Sequence, residues 1–380
     1  MQYSIPYILL VCFFGVAAIF HDYTTDEASK RRNDVLCIFV FIFFFGLRGY
    51  VFDDWINYAE LFRTIDLQHL GMTMEKSTVE PGFLLYTALC KGLIDNYHAF
   101  VMISTLINLC LLLRFFSRYV QNLPLALMCY VCMGGLIISI NLMRNSIAIL
   151  LFLNVIHLIQ ERRPIPYFAT CLLAITFHYS AIVFFPLYFF LHRRLNKWVY
   201  LAIFLCANII LLMHISLLHY LVDIIAGTIS KGLQMHIDAY MERATNEGFR
   251  ISIGYLERLF TGLLVFFFMD KLYERRKENI LFVNAILLYY MMFFLFSEFD
   301  EVSLRMSYLF VFSYWIIWPE LVSCFSIENN RRLFSAFLYA YCIMKIIGST
   351  NFITAKYDNL LFGIDSYQER LYIHNRNTKD

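Results

Sequence analysis

Five ionisable side chains lie in or at the edge of long apolar runs: Arg48, Glu80, Arg144, His178 and Arg305. Such a group at the centre of a membrane helix costs about 2.5–3.5 kcal/mol on insertion scales, so its presence is a functional hypothesis by default. The side-chain types suggest one chemistry. A guanidinium grips a phosphate through two parallel hydrogen bonds, which suits a diphosphate leaving group. A carboxylate or an imidazole takes the proton from an attacking hydroxyl.

Each position also has a plainer reading. Arg48, in Leu47-Arg48-Gly49-Tyr50-Val51-Phe52-Asp53-Asp54, is near the end of an apolar run and can snorkel to the surface. Glu80 precedes Pro81-Gly82-Phe83 and reads as a helix start, a cap or dipole partner. His178, in Phe177-His178-Tyr179-Ser180, can simply bond to a neighbouring helix. Arg305 follows Glu301 by four residues and can pair with it on a helix. Arg144, in Asn141-Leu142-Met143-Arg144-Asn145-Ser146, interrupts the apolar run 123–160 and has no carboxylate near it in sequence.

The elements that must position these groups are membrane helices. Of 380 residues, 60% are hydrophobic and 16% charged, against about 45–50% and about 25% in soluble domains. Mean hydropathy is +0.61. Apolar blocks fall near 3–20, 35–51, 81–94, 97–117, 123–141, 143–160, 165–191, 197–219, 254–270, 279–297, 303–324 and 333–350. Most have the length that crosses about 30 Å of hydrocarbon as helix. Lipid offers no hydrogen-bond partners, so each block must satisfy its own backbone. The expected fold is therefore all-α, a polytopic helical bundle of about 11–13 membrane segments, some re-entrant or broken, in one transmembrane domain over 1–380. The first block has no basic n-region and no clean cleavage site, and reads as a retained helix.

A net charge of +2 and the lack of a basic, aromatic-laced patch argue against nucleic acid. The 10 cysteines lie mostly inside apolar blocks, Cys129 and Cys132 included, and read as packed thiols rather than metal ligands.

Basic loops at 30–32, 161–163, 192–194, 271–277 and 331–332 mark the cytoplasmic side. That places 52–80, 220–253, 298–302 and 351–380 outside, and brings the five ionisable positions toward the external face. Lys231, Arg243, Arg250 and Arg370 then read as solvated surface charges. Two segments strain this count. Block 81–94 is too short to cross and reads as re-entrant or interfacial. Residues 165–191 have basic flanks at both ends but are too few for two crossings at about 1.5 Å per residue. Either they form a broken hairpin with His178 at its tip, or one flank breaks the rule.

These residues resemble the EpsG-type branch of the Wzy-like polysaccharide polymerases. That family carries an Arg near the end of an early helix, then Val-Gly-x-Asp-Tyr-x-x-Tyr. Here Arg48 is followed by Val51-Phe52-Asp53-Asp54-Trp55 and Tyr58, with Phe52 in place of the Gly and Trp55 in place of the first Tyr. Glu80-Pro81-Gly82-Phe83, Met143-Arg144-Asn145, His178-Tyr179-Ser180 and Arg305-Met306-Ser307-Tyr308 match later motifs in order.

The resemblance implies a metal-independent, cofactor-free glycosyltransferase of GT-C-like architecture in the bacterial inner membrane. Its substrates would be undecaprenyl-diphosphate-linked oligosaccharides among membrane lipids, with a chain-length regulator and a flippase of the pathway as further partners. Arg144 and Arg305 would bind the diphosphate, with Arg48 helping and Tyr58 on the substrate. Asp54 or Glu80 would be the base, and His178 a positioning or leaving-group partner. Three other classes stay open: a GT-C lipid-linked-sugar transferase with a metal at Asp53-Asp54, an O-acyltransferase resting on His178, and a lipid-linked glycan flippase.

Overall fold

The computed structural model describes residues 2–215, 252–297 and 300–377. Expectations for 220–253 fall almost wholly outside them, as do Lys231, Arg243, Arg250, Glu298 and the side chain of Glu301. The fold is the expected all-α membrane bundle. Among the described residues there are no strands, only the isolated bridges Arg48–Asn359 and Asn359–Gly363. Among the described residues, five helical stretches are long and apolar enough to cross a membrane: Gln2–Tyr23, Tyr97–Tyr119, Leu123–Ile140, Met143–Gln160 and Glu328–Thr350. Shorter apolar helices account for other blocks. The chain is a multi-pass membrane protein.

The residues group into two compact units, Met1–Phe190 with Phe325–Asp380, and Leu191–Cys324. The first unit opens with α1 (Ile5–Tyr23), α2 (Glu27–Phe41), α3 (Trp55–Thr64), α4 (Leu70–Lys76), α5 (Pro81–Leu93) and α6 (Tyr97–Tyr119). It continues with α7 (Leu123–Tyr130), α8 (Leu136–Ile140), α9 (Met143–Val155), α10 (His157–Gln160), α11 (Pro164–Phe177) and α12 (Phe184–Phe190). The second unit holds α13 (Lys197–Leu212), α14 (Ile253–Arg275), α15 (Asn279–Leu295), α16 (Asp300–Tyr308) and α17 (Phe312–Cys324). α18 (Glu328–Thr350) and α19 (Tyr367–Asn377) return to the first.

Breaks in the first unit's helices mark its polar positions. The run from α2 widens into a π-helical turn at Ile42–Gly46 and stops at Leu47, one residue before Arg48. Between α8 and α9, Leu142 leaves helical geometry (φ −107°, ψ 48°), one residue before α9 begins. At His178 the backbone is extended (φ −158°, ψ 124°), between α11 and a short 3₁₀ turn, Tyr179–Val183. α12 then folds back along α11. Tyr167 donates its hydroxyl to the Phe184 carbonyl (2.6 Å), and the Phe168 ring lies 5.5 Å from Phe185 and 6.2 Å from Phe189. Residues 164–190 are thus a broken hairpin with His178 at the tip. α5, with 13 residues, is short as its sequence requires.

The stretch after α18 packs back onto the Leu47–Phe52 turn. Tyr7 donates to the Ala355 carbonyl (2.8 Å), the Gly49 amide to Asp358 O (3.1 Å) and the Leu360 amide to Leu47 O (2.8 Å). Arg370 corrects the expectation of a solvated charge: it is 2% exposed. The tail is polar in sequence, but Arg370 turns to Asp358 and Asp365 rather than to water.

Candidate functional site

Arg144 occupies the first turn of α9, where amide hydrogens without helical partners create positive potential. A cation is unfavourable there unless something compensates it. Glu80 does so from 64 residues away, with Arg144 Nη1 2.5 Å from Glu80 Oε2. Glu80 sits at the N-cap of α5 but makes no side-chain cap bond. Its carboxylate turns to Arg144 and accepts the Tyr179 amide (3.2 Å) at its other oxygen.

The pair is asymmetric in exposure. The Glu80 side chain is 4% exposed and that of Arg144 29%. The carboxylate is a buried anchor, while part of the guanidinium faces open space.

Gly82 permits this approach. A Cβ there would strike the side chain and carbonyl of Thr176 on α11, so only glycine lets the start of α5 come this close. Phe83, Tyr58, Phe62, Phe100, Met143 and Ile147 form one buried cluster that fastens α3, α5, α6 and α9 together. In lipid such close packing, rather than apolar transfer, is what holds helices to one another.

The hairpin tip joins the same group. The Ser180 amide donates to His178 Nδ1 (3.2 Å), and Ser180 Oγ lies 2.7 Å from that nitrogen and 3.5 Å from Asn145 Oδ1. A ring nitrogen that accepts an amide hydrogen carries no proton, so neutral His178 is protonated at Nε2.

On the α3 side, Tyr58 donates to the Asn141 carbonyl (2.9 Å) at the α8–α9 break, and Arg144 reaches its hydroxyl. Burial, then the nearby Asp54 charge, pushes the Tyr58 phenol up to about 12, so it stays a neutral donor. Asp54 is half-buried at the start of α3. The preceding turn is strained. Phe52 has φ 65°, in the left-handed region that favours glycine, the residue the resembled pattern carries there. A non-glycine residue pays about 1–2 kcal/mol for that geometry. Neighbouring contacts hold it: the Phe52 amide donates to Thr354 O (2.8 Å) and the Asp53 amide to Asn141 Oδ1 (3.4 Å).

Arg48 is 4% exposed and does not snorkel. Nη1 donates to Phe45 O (2.5 Å) and Thr105 Oγ1 (3.4 Å), and Nη2 to Ser139 O (3.3 Å). The cavity it lines with Ser104, Asn108 and Ser139 measures about 10 Å³, room for a single water. Asp54, Tyr58, Glu80, Arg144 and His178 therefore come together in the first unit, and Arg48 lies behind them. Arg305 belongs to α16 of the second unit.

Sequence reading passed over two buried charges in that second unit. Glu257 and Arg258 on α14 are 4% and 7% exposed. Thr261 donates to Glu257 (2.7 Å), Arg258 Nε donates to the Tyr289 hydroxyl (3.1 Å), and its guanidinium stacks on Phe293 (3.7 Å). The signal was present, since both charges interrupt the block 254–270.

A model of the EpsG family matches residues 34–361. The chain belongs to the EpsG family. No curated protein and no solved structure matches it significantly. The EpsG match spans Arg48, Asp54, Tyr58, Glu80, Arg144, His178 and Arg305, and ends before Asp365 and Arg370. EpsG membership supports a polysaccharide polymerase-type function.

Proposed function

We propose that this EpsG-family chain is a polysaccharide polymerase of the bacterial inner membrane, working at the outer leaflet. It transfers a growing glycan from undecaprenyl diphosphate to a sugar hydroxyl of a lipid-linked repeat unit. The acceptor oxygen bonds to the donor's anomeric carbon, the bond from that carbon to the diphosphate oxygen breaks, and the lipid diphosphate leaves with its electron pair. The hydroxyl proton passes to a base.

The observation that carries this reading is the Glu80–Arg144 pair. Its carboxylate is buried and its guanidinium is partly open, at a helix N-terminus. That is a preorganised anion grip, with Arg144 aimed by Glu80 and amide dipoles adding to the field. Arg144 binds the diphosphate. With Glu80 engaged, the base is Asp54, beside the Tyr58 donor. His178, protonated at Nε2, hydrogen-bonds to the leaving group or orients the hydroxyl. Arg48 spends its donors on two carbonyls and the Thr105 hydroxyl, which supports an anchoring role rather than a share in the diphosphate grip. Arg305 is retained as a second diphosphate ligand on the family motif alone. The lipid carrier, the chain-length regulator and the flippase are the partners this reaction calls for.

The test uses purified protein with its host's lipid-linked repeat unit, with and without chelator, beside Arg144→Ala. A chelator-resistant ladder of longer glycans, lost in the variant, is the expected result. Lipid binding without any new linkage would point to a flippase, and a ladder abolished by chelator to a metal-dependent sugar transferase.

A further inference from the structure

The turn that carries Asp54 is strapped down from the far end of the chain. Three main-chain bonds join it to residues 354–360, the strap: Gly49 N to Asp358 O (3.1 Å), Phe52 N to Thr354 O (2.8 Å) and Leu360 N to Leu47 O (2.8 Å). The contact is close enough that a Cβ on Gly49 would collide with the Asp358 carboxylate. Beyond the strap, α19 touches both neighbours of Asp54. The Tyr367 ring meets Trp55 edge-on at 5.3 Å, and His374 Nδ1 lies 3.4 Å from the Asp53 carboxylate.

One residue ties these pieces together. Arg370, on α19, holds Asp358 Oδ2 through Nη2 (3.0 Å) and Asp365 Oδ2 through Nε (3.0 Å). Nη2 also donates to the Lys356 carbonyl (2.8 Å). Lys356 Nζ closes the ring on Asp365 (2.7 Å), and the Asp365 amide donates to Asp358 Oδ2 (2.8 Å). One guanidinium thus pairs with two carboxylates and donates to a carbonyl at once. Asp365 and Arg370 lie past residue 361, where the family match ends, while Lys356 and Asp358 lie inside it.

We propose that Arg370 is a positioning residue: by clasping Asp358 and Asp365 it holds the strap and α19 against residues 49–55, and so keeps the left-handed turn at Phe52 that presents Asp54. The catalytic consequence rests on the polymerase reading; the structural one does not.

The experiment is amide hydrogen exchange by mass spectrometry on the full chain in detergent, alongside glycan-ladder kinetics. The variants are Arg370→Ala, the milder Asp365→Asn, which leaves the Asp358 contact intact, and Arg376→Ala, exposed on the same helix. The expected result is exchange about tenfold faster at residues 49–53 in Arg370→Ala, less in Asp365→Asn, with the rest of the chain unchanged. With it, kcat falls by about tenfold while KM for the lipid-linked donor stays within about twofold, and Arg376→Ala behaves as wild type. Wild-type exchange at 49–53 in a folded Arg370→Ala protein overturns the proposal. So does faster exchange spread evenly over the chain, which would make Arg370 a general prop, or faster exchange at the turn with kcat intact. A wild-type protein that makes no polymer would remove the functional reading, and exchange alone would then decide whether Arg370 holds the turn.

Discussion

Removing Arg144 and removing Glu80 should carry unequal costs. Breaking a buried ion pair by deleting one partner costs about 3–5 kcal/mol, because it strands the other charge. Arg144→Ala leaves a carboxylate that is 4% exposed, with the Tyr179 amide as its remaining main-chain donor, and should lie within that range. Glu80→Ala leaves a guanidinium that is 29% exposed and still reaches Tyr58. That group can turn to water, so the cost should be nearer that of one lost charge-assisted hydrogen bond, about 1.5–3 kcal/mol. The double variant should be milder than the sum, with a coupling energy of about 1–3 kcal/mol. The assay is reversible denaturation of wild type, both single variants and the double variant in the same detergent. Glu80→Ala costing as much as Arg144→Ala, or strictly additive losses, would refute the idea of a buried anchor holding an open cation. On activity, losing the single donor Arg144 should lower kcat by about 10²–10³.

Three further outcomes follow from the geometry. Gly82→Ala should push α5 off Thr176 and cost about 1–3 kcal/mol of stability in a melting assay, since overpacking forces backbone shifts. His178→Asn places an oxygen where Nδ1 accepts the Ser180 amide, so it should keep the hairpin's thermal stability while losing turnover that needs Nε2; full turnover would count against a role for that nitrogen. For Tyr58, burial raises the folded phenol to about 12 against about 10 unfolded. The unfolded chain then releases its proton first, so this stabilisation is complete below pH 10 and is lost as pH climbs from 10 to 12. Tyr58→Phe should flatten that alkaline decline in a stability-versus-pH series, and an unchanged decline would place its origin elsewhere.

Much of the frame was legible because lipid leaves few options. An apolar run must be helical, so its breaks show up as polar interruptions such as Asn141-Leu142 and His178. Arithmetic narrowed 165–191 to a broken hairpin or a broken flank rule, since two basic flanks enclose too few residues for two crossings, and the structure shows the hairpin. The Glu80–Arg144 pair was not legible, because no periodicity links positions 64 residues apart; only the cost of each group alone marked them. Asp54 and Tyr58 came from motif likeness, as their surroundings in sequence are merely polar. Glu257 and Arg258 were missed although they broke the rule that exposed Arg144. Arg370 was misread because a polar tail usually faces solvent, whereas this side chain turns inward to Asp358 and Asp365.

The bond from Tyr7 to Ala355 has a consequence for how the molecule is made. Synthesis runs at about 5–20 residues per second, so the first helix waits tens of seconds for this partner to leave the ribosome. Through that interval the Phe52 turn has no strap to offset its strain, and Asp54 has no fixed direction. A nascent chain not yet extended past Ala355 would enter the membrane already helical but with its Phe52 turn unsupported.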